Sequence, residues 1–413
     1  MKPKDQILAR MYVVLTLLSI LPALVVLQVL RIHAYDGAEL RKKGSDQASS
    51  AQVIPAVRGA ILDRMGRTLA VNAARWDLAL DPTIPGFAAE RSRFIANMSR
   101  LTGASNAAIA RSIDRRKSLK YVLLRRGLRE GAKETVESWN VPGVILHPDY
   151  ARRYNYGSTL SHVLGHVDAD GNGTAGLELR YNDVLRGSDG RRIAKRDRRG
   201  KIKAYVDGSV VEPQDGESLV LTVDLIRQTI VEEELASGVE ESGSNWGTAI
   251  AMDPNTGAVL AMANFPTYDP NQPGRFPTEA RRNHAITDRI EPGSTFKLVS
   301  AIASLEQGIV SLDDTIDTGN GFRVFGRRHL HDTHGHGRIS FEEAISVSSN
   351  IGIAESVRGL DEGDLYQYAR NLGFGQPTWV DLPGEVTGVL KKPSRWSGTT
   401  KTSISIGYEV EAT

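Results

Sequence analysis

The stretch Glu291-Pro292-Gly293-Ser294-Thr295-Phe296-Lys297 places a serine, after a Pro-Gly turn, at the start of the apolar run Leu298-Val299-Ser300-Ala301-Ile302. Apolar side chains recur there at spacings of three and four residues, which predicts a helix with one buried face formed by Phe296, Val299, Ile302, Ala303 and Leu305. Ser294 and Lys297 lie three positions apart, so they share a side of that helix. The stretch therefore predicts a hydroxyl beside an amine at a helix start.

Such a pair can be a nucleophile and its base, because an amine can remove a proton from a neighbouring hydroxyl. The first turn of a helix also carries unpaired N–H groups that can hold a developing oxyanion. The ordinary pKa of lysine is about 10.4, so burial or a second cation must lower the pKa of Lys297 before it can act as a base. The alternative interpretation is a helix N-cap serine followed by a solvated lysine.

A second polar pattern, Ser348-Ser349-Asn350, lies about fifty residues downstream, between a helical run that begins at Phe341 and an apolar segment. On a turn between two such segments, the hydroxyl of Ser348 can relay a proton to a leaving amine, and the amide of Asn350 can hold a substrate carbonyl. An ordinary capped turn is the alternative. The same pattern occurs at Ser138-Trp139-Asn140, but only the later copy follows the Ser-x-x-Lys pattern in chain order.

Together, Ser294-x-x-Lys297 and Ser348-x-Asn350 resemble the first two boxes of the penicillin-binding proteins and serine β-lactamases. Upstream, residues 58–70 resemble the Arg-Gly-x-Ile-x-Asp-Arg-x-Gly-x-x-Leu-Ala segment of the class B penicillin-binding proteins. Residues 176–181 match the Gly-Leu/Val-Glu element of the same class. The resemblance runs from the N-terminus to the last residue, and the details after Ser294 resemble the division-type transpeptidases.

The family has a third box, Lys-Thr/Ser-Gly, on a strand that lines the active site, and the 413 residues contain no such box. We reject Lys401-Thr402-Ser403 as a substitute, since it follows Asn350 by only about fifty residues, and a serine in place of the glycine would crowd the strand. We expect the intact protein to continue for well over a hundred residues. The resemblance implies that this strand also supplies one donor for the oxyanion. Loss of one oxyanion donor costs about 10²–10³ in rate, so we expect these residues alone to lack activity.

Composition is that of a folded protein, with 40% hydrophobic and 24% charged residues, and the length permits two or three domains. The net charge of +2 gives no indication of a bulk polyanion partner. The chain contains no cysteine, which excludes disulfides, thiol catalysis and cysteine-based zinc sites and is consistent with an oxidising compartment.

Residues 11–30 carry no charge and, at about 1.5 Å per residue, would span the core of a bilayer as a helix. Their length, and the absence of an Ala-x-Ala cleavage site after Leu30, favour an uncleaved membrane anchor over a signal peptide. The positive-inside rule predicts a cytoplasmic N-terminus, with the bulk of the chain on the periplasmic or extracytoplasmic side of the membrane. Basic residues lie on both flanks: Lys2, Lys4 and Arg10 support this orientation, while Arg41, Lys42 and Lys43 oppose it.

We predict five segments: a cytoplasmic tail (1–10), a transmembrane anchor (11–30), a juxtamembrane stalk (31–56), a pedestal of the dimerisation type (57–215) and an incomplete transpeptidase domain (216–413). The resemblance implies that the pedestal supports the catalytic domain and that the transpeptidase domain carries out the reaction.

The pedestal begins with a predicted hairpin, in which residues 60–62 and 68–71 are strands and residues 63–66 form the turn. Residues 88–140 are predicted to be mostly helical, and residues 141–215 to mix short strands and loops.

From about residue 216 the pattern predicts a strand (218–224), an acidic helix (225–236) and a hairpin whose strands are 247–253 and 258–263. With the Ser294 helix, these elements fit a sheet that carries helices on its faces. The predicted fold class is therefore α+β, with helices on a mostly antiparallel sheet, which is the transpeptidase fold that the resemblance implies.

Two loop patterns resemble ligand sites without completing them. Residues 171–176 fit Gly-x-Gly-x-x-Gly but lack the βαβ context and the acidic residue of a dinucleotide site. Asp168 begins an EF-hand-like loop, yet its twelfth position is Leu179 and the carboxylate of Glu178 is one residue early. Neither a dinucleotide nor calcium is predicted.

A basic run lies between residues 191 and 203, and is interpreted as a solvated hairpin, or as a face towards anionic lipid or cell wall. Nucleic-acid binding is not predicted, because Asp197 interrupts the run and aromatic stacking residues are absent. The run consists of Arg191, Arg192, Lys195, Arg196, Arg198, Arg199, Lys201 and Lys203.

Four histidines lie within eight residues, at positions 329, 331, 334 and 336, with Asp332 among them. Zinc is one interpretation. The neighbouring glycines Gly335 and Gly337 favour the other, a flexible loop near the mouth of the cleft whose charge varies with pH. No metal and no cofactor are predicted.

The resemblance implies a serine D,D-transpeptidase that acts on D-Ala-D-Ala stem peptides of peptidoglycan in septal cell-wall synthesis and is a target of β-lactams. Ser294, Lys297 and Ser348 would be catalytic, and Asn350 would bind substrate. The implied partners are a membrane-embedded glycosyltransferase and division proteins. Two alternatives stay open: a membrane-bound β-lactam sensor, and an inactive scaffold fragment of the division machinery.

Overall fold

The computed structural model describes residues 3–32, 49–115, 121–196, 202–205, 208 and 210–413. Contacts divide the chain into two compact units. The first unit comprises Met1–Arg58, Asn72–Ala151 and Arg186–Gly216, and the second comprises Gly59–Val71, Arg152–Leu185 and Glu217–Thr413.

The N-terminal helix runs from Pro3 to Arg31. Within it, Arg10–Arg31 has a mean hydropathy of 2.6 and none of it is buried. By length and composition this is the one helix in the described part of the chain that could cross a membrane, as predicted. Most of the predicted stalk, residues 33–48, lies outside the described residues, and its last part, Ser49–Ile54, is a strand.

The first unit contains a three-stranded antiparallel sheet. Gly190–Arg196 is its central strand and pairs with Ser49–Ile54 on one side and Ile202–Tyr205 on the other. The predicted hairpin of the basic run is therefore confirmed for its two strands, while residues 197–201 lie outside the described part of the chain.

Helices Phe87–Thr102, Asn106–Asp114 and Glu130–Ser138 of this unit pack around a core that contains Phe94 and Met98. The prediction that residues 88–140 are mostly helical missed the strand Val122–Leu128, which pairs with the later part of Thr68–Leu80. Only the two end residues of Val122–Leu128 are buried, so its sequence lacks the alternating apolar pattern of a strand.

The second unit contains the predicted hairpin. Ile61–Leu62 pairs antiparallel with the start of Thr68–Leu80, and in parallel with Leu219–Val220. The carboxylate of Asp63 organises the turn by accepting hydrogen bonds from the N–H groups of Met65 and Arg67. The strand predicted over residues 218–224 is only two residues long in the structure.

Helix Leu225–Ser242 and the hairpin Gly247–Met252/Val259–Phe265 confirm the predicted order of helix and hairpin. Asp224 caps the helix by accepting from the N–H groups of Ile226 and Arg227. Gln228 ties helix to hairpin, because its side-chain amide exchanges two hydrogen bonds with the backbone of Met262.

The remaining elements are short, and the architecture is α+β, as predicted, although its sheets are small and mixed. Before residue 290 they are the strand Val144–Tyr154, the helices Ser161–Leu164, Gly176–Arg180, Asn182–Arg186 and His284–Thr287, and the 3₁₀ turns Pro273–Arg275 and Glu279–Arg281. After it they are the helices Lys297–Glu306, Phe341–Ser346, Asn350–Ser356, Glu362–Asn371 and Thr400–Ser405, the 3₁₀ turns Gly293–Phe296 and Pro393–Arg395, and the strand pairs Thr315–Gly319/Gly337–Ser340, Phe322–Phe325/Arg328–His331 and Val389–Leu390/Val410–Glu411. The short helices between residues 161 and 186 were not predicted.

Helix Lys297–Glu306 is central to the second unit because it contributes to two hydrophobic clusters. Ala301 belongs to one cluster, and Val299 and Ala303 belong to the other. Ile302 is 41% exposed, so the predicted apolar face was wrong at that residue. The helix instead buries Ser300 and Ser304, whose hydroxyls donate to backbone carbonyls of neighbouring segments.

Candidate active site

Ser294 lies in the 3₁₀ turn Gly293–Phe296, which leads directly into helix Lys297–Glu306. Its side chain is exposed, whereas Phe296 is fully buried and makes an edge contact with Phe374 at 4.8 Å between ring centroids. The buried phenylalanine anchors the turn, and the serine is thereby presented to solvent at the start of a helix. This is the local structure that the sequence predicted.

The segment before Ser294 is held by the segment that follows helix Thr400–Ser405. Ile290 and Ala412 exchange two backbone hydrogen bonds of 2.9 Å each. The N–H of Gly293 donates to the carbonyl of Gly407 at 3.1 Å, and the N–H of Glu409 donates to the carboxylate of Glu291 at 2.9 Å. These bonds fix the backbone that delivers the serine.

Lys297 follows one turn later and is only 5% exposed. Its Nζ donates to the carbonyl oxygen of Ser348 at 2.6 Å and to the Oγ of Ser348 at 3.0 Å. Burial lowers the pKa of Lys297 below its ordinary value, and the negative charge of Asp332 partly opposes this effect. The amine of Lys297 is thus buried, as a lysine that acts as a base requires.

Ser348 occupies the turn between helices Phe341–Ser346 and Asn350–Ser356. Its φ of 56° is in the left-handed region, which costs a residue with a side chain about 1–3 kcal/mol. The next residue, Ser349, caps the following helix by accepting from the N–H of Gly352 at 2.8 Å. In this conformation both the carbonyl and the hydroxyl of Ser348 reach the amine of Lys297.

Asp332 is the residue of this site that the sequence did not identify. Its Oδ1 accepts from the N–H groups of Asn350 at 2.6 Å and Ile351 at 3.1 Å, and its Oδ2 accepts from the hydroxyl of Ser349 at 2.6 Å. The Nδ2 of Asn350 donates to the carbonyl of His331 at 2.7 Å. Nothing local in the sequence pairs residue 332 with residues 349–351, so no pattern indicated these contacts.

The histidines around Asp332 lie on and after a hairpin formed by Phe322–Phe325 and Arg328–His331. The rings of His329 and His331 contact the ring of Phe322, with centroids 5.8 and 4.9 Å apart. Within the described residues, no group of three or more histidine, cysteine or acidic side chains is arranged to hold a metal ion.

Lys401 lies in helix Thr400–Ser405 rather than on a strand. Its Nζ donates to the carbonyls of Arg358 at 3.1 Å and Leu360 at 2.9 Å. The amine therefore caps the chain after helix Asn350–Ser356, which agrees with the rejection of Lys401-Thr402-Ser403 as a third box.

The glycine-rich loop at residues 171–176 is a packing feature. A Cβ on Gly173 would lie 1.8 Å from the carbonyl oxygen of Glu178, so only glycine fits there. The carboxylate of Asp168 accepts from the N–H groups of Asp170 and Asn172 and thereby stabilises the turn. Both features explain the sequence patterns without a ligand.

Comparison with known proteins shows the family of this chain. A model of the penicillin-binding protein transpeptidase domain matches residues 247–413, and a model of the penicillin-binding protein dimerisation domain matches residues 53–221. The probable peptidoglycan D,D-transpeptidase PenA of Neisseria gonorrhoeae is 31% identical over 409 residues, which cover 97% of this chain and 69% of PenA. The peptidoglycan D,D-transpeptidase FtsI of Escherichia coli K12 is 30% identical over 377 residues, which cover 91% of this chain and 63% of FtsI.

Among solved structures, penicillin-binding protein 3 of Mycobacterium tuberculosis in complex with aztreonam is similar with a TM-score of 0.62 and 26% identity. The similarity covers 88% of this chain and 62% of the mycobacterial one. The chain belongs to the class B penicillin-binding proteins and carries the serine transpeptidase domain of that family, and it spans about two thirds of the length of its relatives.

Proposed function

We propose that this protein is a serine D,D-transpeptidase that cross-links peptidoglycan stem peptides ending in D-Ala-D-Ala. The observation that carries the proposal is the buried amine of Lys297, held on Ser348 one turn after the exposed Ser294. The names of its relatives as peptidoglycan D,D-transpeptidases support the same reaction.

In the first step, neutral Lys297 removes the proton of Ser294, whose Oγ attacks the carbonyl between the two D-alanines. The lowered pKa of Lys297 supports this role, because a larger fraction of the amine is then unprotonated near neutral pH. The backbone N–H of Ser294, at the start of the 3₁₀ turn, is one donor for the oxyanion of the tetrahedral intermediate.

In the second step the C–N bond breaks, and Ser348 passes a proton to the departing D-Ala. Its hydroxyl is suited to this relay, since it already contacts the amine that received the proton of Ser294. Asn350 holds the substrate amide, with its own side chain oriented by the carbonyl of His331. The amine of a neighbouring stem peptide then attacks the acyl-enzyme, which forms the cross-link and frees Ser294.

The protein would act outside the cytoplasm, anchored by Arg10–Arg31 with its N-terminus inside. The apolar character of that helix supports an anchor, and the flanking lysines support the orientation. A membrane-embedded glycosyltransferase and proteins of the division machinery are the proposed partners, as the resemblance to the division-type transpeptidases implies. No metal or cofactor takes part in the proposed steps.

Fluorescent penicillin tests the proposal on the protein produced from its own gene, in native membranes. We expect a labelled band that disappears in Ser294→Ala, because β-lactams acylate the nucleophile of this family. Ser348→Ala should label slowly, whereas Ser138→Ala, in the other Ser-x-Asn pattern, should label normally. A wild-type protein that stays unlabelled would refute the proposal.

A synthetic stem peptide separates the enzyme from a β-lactam sensor. A transpeptidase exchanges the terminal D-Ala for a labelled D-amino acid with many turnovers per protein, whereas a sensor is acylated once. Labelling the 413-residue chain in parallel tests the expectation that these residues alone lack activity.

A further inference from the structure

Asp332 lies just after the strand Arg328–His331 and faces the start of helix Asn350–Ser356. Both of its carboxylate oxygens are used: two backbone N–H groups and the hydroxyl of Ser349 donate to them. The three bonds join segments that are 17 to 19 residues apart in the chain. A charged acceptor makes stronger hydrogen bonds than a neutral one, so this contact holds residues 349–351 firmly.

The held residues adjoin Ser348, whose left-handed conformation is unfavourable for a residue with a side chain. A strained conformation persists only when its surroundings fix it. Ser348 is fixed on its C-terminal side by the bonds of Asp332 to residues 349 and 350. On the other side its carbonyl and hydroxyl accept from Lys297. The backbone around Ser348 is thus held from both sides, by the hydrogen bonds of residues 349–351 to Asp332 and by those of Ser348 to the amine.

We propose that Asp332 is a positioning residue of the acylation site, which holds residues 349–351 and thereby keeps Ser348 on the amine of Lys297. This inference rests on the proposed function, since it assigns Asp332 a part in preparing the base. Asp332 itself needs no contact with substrate.

The charge of Asp332 has a second consequence. Among the described residues, Asp332 is the charged group that acts on Lys297, and it raises the pKa of that amine against the effect of burial. The neighbouring ionisable groups are engaged elsewhere: Glu355, on helix Asn350–Ser356, pairs with Arg323 at 2.8 Å, and the ring of His331 lies against Phe322. Removing the charge of Asp332 should therefore lower the pKa of Lys297 further.

Two substitutions distinguish the positioning role of Asp332 from the effect of its charge on Lys297. Asp332→Asn retains an oxygen that can accept from the N–H groups of Asn350 and Ile351 but is uncharged. Asp332→Ala removes the acceptor as well. Asp313→Asn, at an exposed aspartate on the loop before Thr315–Gly319, removes one negative charge and serves as the matched control.

Amide hydrogen exchange of residues 349–352 in the purified full chain measures how firmly Asp332 holds this segment, and it does not require activity. In Asp332→Ala these amides should exchange at least about 10-fold faster, since local opening no longer breaks charged hydrogen bonds. Asp332→Asn should show a smaller increase, and Asp313→Asn none. Unchanged exchange in Asp332→Ala would overturn the proposal.

The pH dependence of acylation by fluorescent penicillin tests the effect of the Asp332 charge on the pKa of Lys297. The rate should rise with pH as Lys297 loses its proton, and the midpoint of that rise should move to lower pH in Asp332→Asn. Asp332→Ala should also acylate at least about 10-fold more slowly at every pH, because Ser348 is no longer held. A midpoint that stays in place or rises in Asp332→Asn would contradict the coupling to Lys297. If the wild type is not acylated, the proposed function fails, and hydrogen exchange still decides the positioning role.

Discussion

Gly407 lies so close to Gly293 that a Cβ on Gly407 would be 1.9 Å from the carbonyl oxygen of Gly293. Gly407 also has a φ of +84°, a conformation that favours glycine, and its own carbonyl accepts from the N–H of Gly293. The residue before Ser294 is therefore positioned by a backbone contact that tolerates no side chain.

Gly407→Ala should displace the backbone at Gly293. We expect a loss of about 2–4 kcal/mol in the free energy of unfolding, because the new methyl group clashes with backbone on a left-handed residue. Acylation by fluorescent penicillin should fall at the same time, since Ser294 moves with Gly293. The control is Gly398→Ala, where a Cβ meets no atom within 4 Å. Equal unfolding curves for the two variants would show that the close contact is unimportant.

Lys297→Met should abolish most acylation by penicillin, by about 10²–10⁴-fold, because it removes the proposed base. Lys401→Met is the matched control, since that amine caps the carbonyls of Arg358 and Leu360. It should lower stability by about 1 kcal/mol and leave the acylation rate of folded protein unchanged. A comparable loss of acylation in both variants would argue against a special role for Lys297.

The wild-type acylation rate should depend on pH in a defined direction. Burial lowers the pKa of Lys297, so the rate should rise with pH and level off at a midpoint below about 10.4, the ordinary value for lysine. Second-order rate constants measured between pH 5 and 10, with a penicillin that is stable over the labelling time, give the midpoint. A rate that still rises steeply at pH 10 would contradict the effect of burial.

Glu178, in the Gly-Leu-Glu element, should be essential for stability. Its carboxylate accepts from the Nε of Arg152 at 2.6 Å, and the two side chains are 0% and 2% exposed. Glu178→Gln removes the negative charge that contacts the buried guanidinium, so we expect a loss of about 3–5 kcal/mol in urea unfolding. Asp114→Asn breaks a pair with Arg91 that is 61% and 39% exposed, and should cost less than about 1 kcal/mol. Similar losses of unfolding free energy in Glu178→Gln and Asp114→Asn would show that burial does not strengthen the contribution of the Glu178–Arg152 pair.

His162 should make stability fall in acid. Burial lowers its pKa to about 4, and its Nε2–H donates to the carbonyl of Ala280 at 3.0 Å. Between about pH 6.5 and pH 4 the unfolded chain binds a proton that the folded chain does not, so stability present above pH 6.5 is lost as the pH falls. The loss amounts to about 3 kcal/mol.

Unfolding in urea at several pH values measures this loss. His162→Gln should be less stable at pH 7 but should lose less on acidification than the wild type. The exposed His334 supplies the control, because His334→Gln should follow the wild-type pH dependence. If the wild type and both variants lose the same stability on acidification, His162 is not the cause of that loss.

Much of the local structure could be predicted from the sequence. The hairpin around Asp63, the helix after Asp224 and the turn at Ser348 each depend on neighbouring residues, whose periodicity, caps and turn residues are visible in the chain. The strand Val122–Leu128 could not be predicted, because it buries only its ends and its pairing with Thr68–Leu80 supplies the rest of its stability. The prediction that Ile302 is buried was wrong for a related reason. The buried side of its helix is set by two neighbouring hydrophobic clusters rather than by apolar spacing.

By itself, the sequence determined which residues are candidates for the chemistry and in what order they occur, since Ser-x-x-Lys and Ser-x-Asn are local patterns. Only the tertiary structure decided that Lys297 is buried, that its amine bonds to Ser348, and that Asp332 holds the turn in between. These facts depend on hydrogen bonds and burial between residues 17 to 51 positions apart, and the geometry of such contacts exists only once the chain has folded.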